Sequence, residues 1–184
     1  HHRSSIGGPL EGLVDHPAVV GFMDEFVANG YASENCYGFR LESTFSTIRS
    51  KGHDNFQPHG GRGIFNFPGN SHTYHMHHDR AHSGLTRVVW ELNPVQRGDG
   101  GTLFLTGSHK GAYPPPASTA DRNSDLWEDY ECSAGSALIF TEAITHTGNR
   151  WENERVDRVA IFNCYNVVGN KWHKWDPYPQ HLQE

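Results

Sequence analysis

The chain lacks any hydrophobic run near the ~18 residues needed to cross a bilayer, any paired cysteines and any excess of positive charge. Its three cysteines, Cys36, Cys132 and Cys164, are odd in number, widely spaced and form no C-x-x-C pair. That excludes a disulfide framework and a thiolate zinc site, and reads as small buried hydrophobes in a reducing, cytoplasmic setting. Lys and Arg number 15 against 21 Asp and Glu, a formal charge of −6. Neither a nucleic-acid face nor an anionic-membrane face is expected on that balance, which leaves a small molecule as the partner. No secretory signal and no N-x-[ST] acceptor is visible. Also missing are G-x-S-x-G, G-x-x-x-x-G-K-[ST], G-x-G-x-x-G and H-E-x-x-H. Serine-nucleophile, phosphate-loop, dinucleotide and helix-borne zinc chemistry therefore have no local support.

What the chain does have points to a β fold. At 184 residues it suits one domain with its own core. Its 12% aromatic content argues against disorder, and 20 Gly with 10 Pro suggest many turns. Residues 1–14 read as an irregular lead-in, with His1-His2 set aside as a tag remnant. Asp15 as N-cap and Pro17 in the first turn open a short helix carrying Val19, Phe22, Phe26 and Val27, stopped at Asn29-Gly30. From Tyr37 to Ser50 the period is two, with Phe39, Leu41 and Phe45 on one face and Arg40, Glu42 and Thr44 on the other. Further strands are expected at Ile64–Phe67, Thr73–Asp79, Leu85–Leu92, Thr102–Leu105, Ser136–Glu142 and Val156–Asn163, with a long Pro-rich excursion from Tyr113 to about Tyr130. With one helix and no βαβ alternation, the expected class is mostly β, an antiparallel sandwich or jelly-roll barrel.

The chemistry-bearing residues are histidines: there are 14, concentrated between His53 and His82. In "TYHMHHD" strand alternation would project His75, His77 and Asp79 together and turn His78 away. His77 and Asp79 thus supply two ligands of a 2-His-1-carboxylate triad, with His146 in "TEAITHTGN" as the third. Arg158, twelve residues later in "VDRVAIF", shares a face with Val156, Ala160 and Phe162. A guanidinium on an apolar barrel face needs a compensating anion, and its fork fits a carboxylate. Two histidines, a carboxylate and an inward arginine suggest iron together with a dicarboxylate cosubstrate.

The order of these pieces resembles the phytanoyl-CoA dioxygenase family of Fe(II)/2-oxoglutarate oxygenases. The matching segments are "HHD" at 77–79, "VVWELNP" at 88–94, "GDGGTLFLTGSHKG" at 98–111, "GSALIFTEAITHTGN" at 135–149 and "RVAIFNCY" at 158–165. The resemblance implies a single domain over 1–184 with a double-stranded β-helix, a cupin-like jelly roll with few flanking helices. It implies iron on His77, Asp79 and His146, and the distal carboxylate of 2-oxoglutarate on Arg158. Trp90 would stand beside that cosubstrate, and Thr147 would take the place of a small hydroxyl residue near it. Arg155 is a reserve for Arg158. Dioxygen and 2-oxoglutarate would be consumed, succinate and CO₂ released and a small molecule hydroxylated. Halogenating relatives carry a small residue at the place of Asp79, which favours hydroxylation here. Segment 1–76 is thin for the family, as if covering elements were reduced or a longer chain cut. Two rivals remain, a cupin-like zinc or manganese enzyme that does not use 2-oxoglutarate and a catalytically silent metal-binding jelly roll.

Overall fold

The computed structural model describes residues 8–28, 30, 32–60, 73–111 and 114–170. Among the described residues eight strands, β1 (Phe39–Arg49), β2 (Tyr74–His77), β3 (Arg80–Ser83), β4 (Thr86–Glu91), β5 (Thr102–Leu105), β6 (Ser136–Thr141), β7 (Thr145–Gly148) and β8 (Arg158–Val167), accompany one short α-helix, α1 (Pro17–Met23), and a few 3-10 turns. The chain is mostly β, as its composition predicts. The expected strand Ile64–Phe67 lies outside the described residues.

Four strands form an antiparallel sheet in the order β1-β8-β4-β6. Its outer face carries Phe39, Val88, Trp90, Ile161 and Tyr165, and Val19, Met23, Val27 and Ala28 pack over it. Pro17 begins α1, and His16, not Asp15, caps it: the Ala18 N–H donates to His16 Nδ1 at 3.2 Å. The helix continues as one π turn, Asp24–Ala28. Widening the turn keeps Val19, Met23 and Val27, four residues apart, on the sheet. Phe22, expected on that face, is half exposed.

The inner face holds Val89, Ala160 and Phe162, with Phe45, Leu138 and Phe140 packed on them. Phe45 and Phe162 stack at 4.8 Å, a pair worth about 0.5–1.5 kcal/mol beyond its buried area. Phe45 does not share a face with Phe39 and Leu41, because the β1–β8 register shifts between Leu41 and Ser43. One extra residue in a strand reverses the facing of every residue after it. Beyond the bulge Phe45 and Arg49 therefore point inward. The small sheet β5–β7 closes over this face: Phe104 meets Phe140 at 4.9 Å, and Phe140 meets His146 at 4.9 Å.

The expected strand Thr73–Asp79 is instead a hairpin. β2 ends at His77, and His78 and Asp79 form a two-residue turn with φ of 48° and 62° before β3 pairs back. Positive φ at both central residues is the geometry whose twist matches a hairpin, and Asp tolerates it. Strand alternation therefore does not extend to Asp79.

Candidate metal centre

Three potential ligand atoms, one each from His59, Glu142 and His146, lie within 4.8 Å of one another. The two histidines are held by the backbone. His59 N–H donates to the His146 carbonyl at 3.0 Å, and His146 N–H to the His59 carbonyl at 2.9 Å, an antiparallel bridge along the free edge of β7. Their rings lie 4.3 Å apart. Glu142 sits just before β7, four residues from His146, with its Oε2 3.6 Å from His146 Nε2.

Each donor is also oriented from behind. His146 Nδ1–H donates to the Ile144 carbonyl at 2.8 Å, and His59 Nδ1–H to the Gln57 carbonyl at 2.7 Å. Those bonds fix the tautomer that leaves Nε2 with its lone pair, the arrangement typical of metal-bound imidazoles. Burial, opposed by nearby Glu142, pulls the His146 pKa down to about 4, so the ring is neutral at physiological pH. Glu142 Oε1 accepts from Arg87 Nε at 2.6 Å, which leaves Oε2 turned toward His146. Two imidazoles and a carboxylate form a donor set suited to Fe(II).

Gly60 makes this approach possible. At φ 81° it occupies the left-handed region, and a Cβ there would lie 2.7 Å from the Glu142 carbonyl oxygen and 3.1 Å from His146 Nδ1.

Of the residues singled out from sequence, His146 belongs to this group. His77 and Asp79 are exposed on the β2–β3 hairpin and join no group of three ligand atoms among the described residues. The turn at His78-Asp79 is the reason. His59 and Glu142, the other two members of this group, are not among the residues singled out from sequence. Glu142 was legible as the carboxylate four residues before His146, whereas His59 sits in an irregular polar stretch without periodicity.

Arg158 points inward as expected, fully buried, but its counterion is internal. Its Nε lies 3.2 Å from both Glu91 carboxylate oxygens and its Nη2 2.5 Å from Oε1. The same Nη2 reaches Tyr130 Oη at 3.0 Å and Thr102 Oγ1 at 3.2 Å. Burial, aided by Glu91 and opposed by Arg158, raises the Tyr130 phenol above its usual range, so its hydroxyl donates to Glu91 at 2.5 Å. Arg158 Nη1 alone is without a partner among the described residues. Arg155 is exposed.

Trp90 and Thr147 do not join the group of His59, Glu142 and His146. Trp90 is on the outer face of the sheet, in the cluster under α1, with its ring edge-on to His16 at 5.3 Å. It is one residue out of phase with Glu91, which faces Arg158. Thr147 alternates away from His146: its Oγ1 accepts from the Gln57 N–H at 2.8 Å. It thereby anchors the segment that carries His59.

The fold and this donor set describe a jelly-roll protein with a candidate 2-His-1-carboxylate centre. A family model described as phytanoyl-CoA dioxygenase (PhyH) matches residues 15–160, and the chain belongs to that family. Dioxygenase af480 of Aspergillus fumigatus is 28% identical over 80 residues, 44% of this chain and 25% of that protein. The match thus spans a quarter of that relative's length. Among solved structures, HygX from Streptomyces hygroscopicus with nickel and 2-oxoglutarate bound gives a TM-score of 0.73 at 20% identity, covering 95% of this chain and 74% of that one. HygX has also been solved with iron, and with nickel, 2-oxoglutarate and hygromycin B. SnoN, a non-heme α-ketoglutarate dependent epimerase from nogalamycin biosynthesis, gives 0.57 at 15% identity, covering 86% and 58%. At such identities the likeness establishes the double-stranded β-helix fold.

Proposed function

We propose that this domain is a mononuclear iron oxygenase that consumes 2-oxoglutarate and dioxygen, hydroxylates a small molecule and releases succinate and CO₂. The observation that carries the reading is the His59–Glu142–His146 group, with both imidazoles tautomerically fixed and the carboxylate held by Arg87. This assigns the first histidine to His59 and the carboxylate to Glu142, in place of His77 and Asp79. A bound Fe(II) would supply Lewis acidity and the activation of oxygen. The chain's own residues do the rest. His59 and His146 offer Nε2 because their Nδ1 protons are committed to carbonyls, and Arg87 keeps one oxygen of Glu142 aimed at the centre. Phe104 and Phe140 wall the site beside His146. Family membership and the iron and 2-oxoglutarate held by HygX support the same cofactors here.

Anaerobic titration with Fe(II) and 2-oxoglutarate tests the reading. A weak visible charge-transfer band that needs both is expected, followed on admission of oxygen by stoichiometric succinate. A product heavier by one oxygen atom identifies hydroxylation, whereas an unchanged mass identifies isomerisation. Zinc or manganese binding that 2-oxoglutarate leaves untouched, with no succinate, would overturn the reading in favour of a cupin-like or silent protein.

A further inference from the structure

We propose that Glu128 is a substrate-binding residue at the mouth of the barrel that receives an ammonium group, and that the substrate is a small amine with an apolar body. The inference rests on the function proposed above and names the substrate class of that same site.

Strand register sets the position of this residue. Phe104 stands directly opposite His146 in the β5–β7 pairing. On the other edge of β5, Phe104 exchanges both backbone hydrogen bonds with Glu128, each at 2.9 Å. With the bridge from His146 to His59, the row across the small sheet runs Glu128, Phe104, His146, His59. Residues directly opposite one another in an antiparallel ladder project to the same face. Glu128 therefore shares the face of Phe104 and of both histidines of the candidate centre. Its chain neighbours follow the same alternation: Tyr130 reaches Glu91 and Arg158 inside the barrel, whereas Trp127 packs on Phe56 at 5.9 Å. At about 4.8 Å per strand, Glu128 stands two strands, roughly 10 Å, from His146, with Phe104 between them.

The carboxylates around this barrel differ in what they already hold. Glu91 is bound to Arg158 and Glu142 to Arg87, whereas Glu128 has no ion-pair partner among the described residues. Its Oε2 accepts from the Thr106 hydroxyl at 2.8 Å, which fixes the group in place while Glu128 itself stays exposed. A carboxylate beside an aromatic ring suits an ammonium: the carboxylate accepts a charge-assisted hydrogen bond, and the ring face attracts the same cation. From Phe104 the wall continues through Phe140 to His146, so an apolar body can lie between the cation and the metal centre. The surrounding charge has the matching sign. Asp121, Asp125, Asp129 and Glu131 flank Glu128 along the chain, and Arg122, the cation among them, is paired with Asp54. Such a field gathers cations and repels anions.

The test uses three probes of equal chain length, n-hexylamine, n-hexanol and n-hexanoate. Each is titrated anaerobically, with calorimetric detection, into protein loaded with Fe(II) and saturating 2-oxoglutarate. Wild type, Glu128→Gln, Glu128→Lys and Glu131→Gln are compared, and melting of each metal-free protein shows that it is folded. Wild type should bind hexylamine about fivefold or more tighter than hexanol at low salt, with hexanoate weakest. Glu128→Gln should make amine and alcohol equal without weakening the alcohol, and Glu128→Lys should place hexanoate first. About 1 M NaCl, which screens charges within roughly 3 Å, should remove most of the wild-type preference. Glu131→Gln removes an equal charge from a position of opposite facing and should keep the preference. A preference retained in Glu128→Gln, lost equally in Glu131→Gln, or absent from wild type overturns the proposal and leaves the oxygenase reading intact. Failure of wild type to bind Fe(II) and 2-oxoglutarate, measured first, fails the oxygenase reading and this inference with it.

Discussion

Glu91→Gln should destabilise the protein more than Arg158→Met, although the two residues form one ion pair. Both are fully buried, and Glu91 is the counterion of Arg158 while Arg49 stands opposite Arg158 across the strands. Removing the carboxylate leaves two buried cations with no anion. Removing Arg158 leaves Glu91 with Arg49 still near, so charge balance is kept. Breaking a buried pair by removing one partner costs about 3–5 kcal/mol, and Glu91→Gln should fall in that range. Arg158→Met should cost ~1–3 kcal/mol, since the surviving carboxylate keeps the Tyr130 hydroxyl and a nearby cation. At roughly 2–4 °C per kcal/mol for a chain of this size, Glu91→Gln lowers Tm by about 6–20 °C. Urea unfolding followed by tryptophan fluorescence, alongside calorimetry, measures both variants. A Glu91→Gln protein as stable as Arg158→Met, or more so, would refute the reasoning and show that Arg49 does not share the charge cluster.

Other outcomes follow from single positions. Gly60→Ala should keep the fold but weaken metal binding by about 10–100-fold in calorimetric titration, because its Cβ would push on the backbone carrying Glu142 and on His146. Cys164 is buried, and burial raises its thiol to about 12 despite the opposing pull of Arg87. At pH 8 only about one part in ten thousand is thiolate, so iodoacetamide should leave Cys164 unmodified in the native protein. The raised pKa favours the folded state below the unfolded thiol pKa. That contribution disappears as pH climbs from about 9 to about 12, and Tm should fall across that window. Trp90→Phe should lower Tm modestly and leave 2-oxoglutarate affinity unchanged, since Trp90 packs under α1 and not inside the barrel.

Much of the architecture was readable because alternation and turn chemistry act locally. The strands around Val88–Trp90, Thr102–Leu105, Ser136–Thr141 and Arg158–Asn163 match their periodicity. What misled was the assumption that alternation runs unbroken. The bulge after Leu41 moved Phe45 and Arg49 to the inner face, and the His78-Asp79 turn took Asp79 off the strand. Neither leaves a mark in the hydrophobic pattern: a bulge is one inserted residue, and His-Asp is a less usual turn pair than Asn-Gly. Arg158 was placed correctly as buried, yet its partner Glu91 was passed over because a carboxylate beside a tryptophan reads as the solvent face of a strand. His59 was out of reach, because only the long-range bridge to His146 gives it a place, and no local spacing encodes that bridge.

The identity of the side chains that hold the metal decides the function of the site. Anaerobic Fe(II) binding should be compared in His59→Ala, Glu142→Ala, His77→Ala and Asp79→Ala, each first shown to be folded by its melting curve. The geometry predicts that the first two lose more than about a hundredfold in affinity, because each removes a donor from a group of three. The hairpin variants His77→Ala and Asp79→Ala should bind as wild type does. Loss of iron in His77→Ala and Asp79→Ala, with full affinity retained in His59→Ala and Glu142→Ala, would contradict the account at its centre.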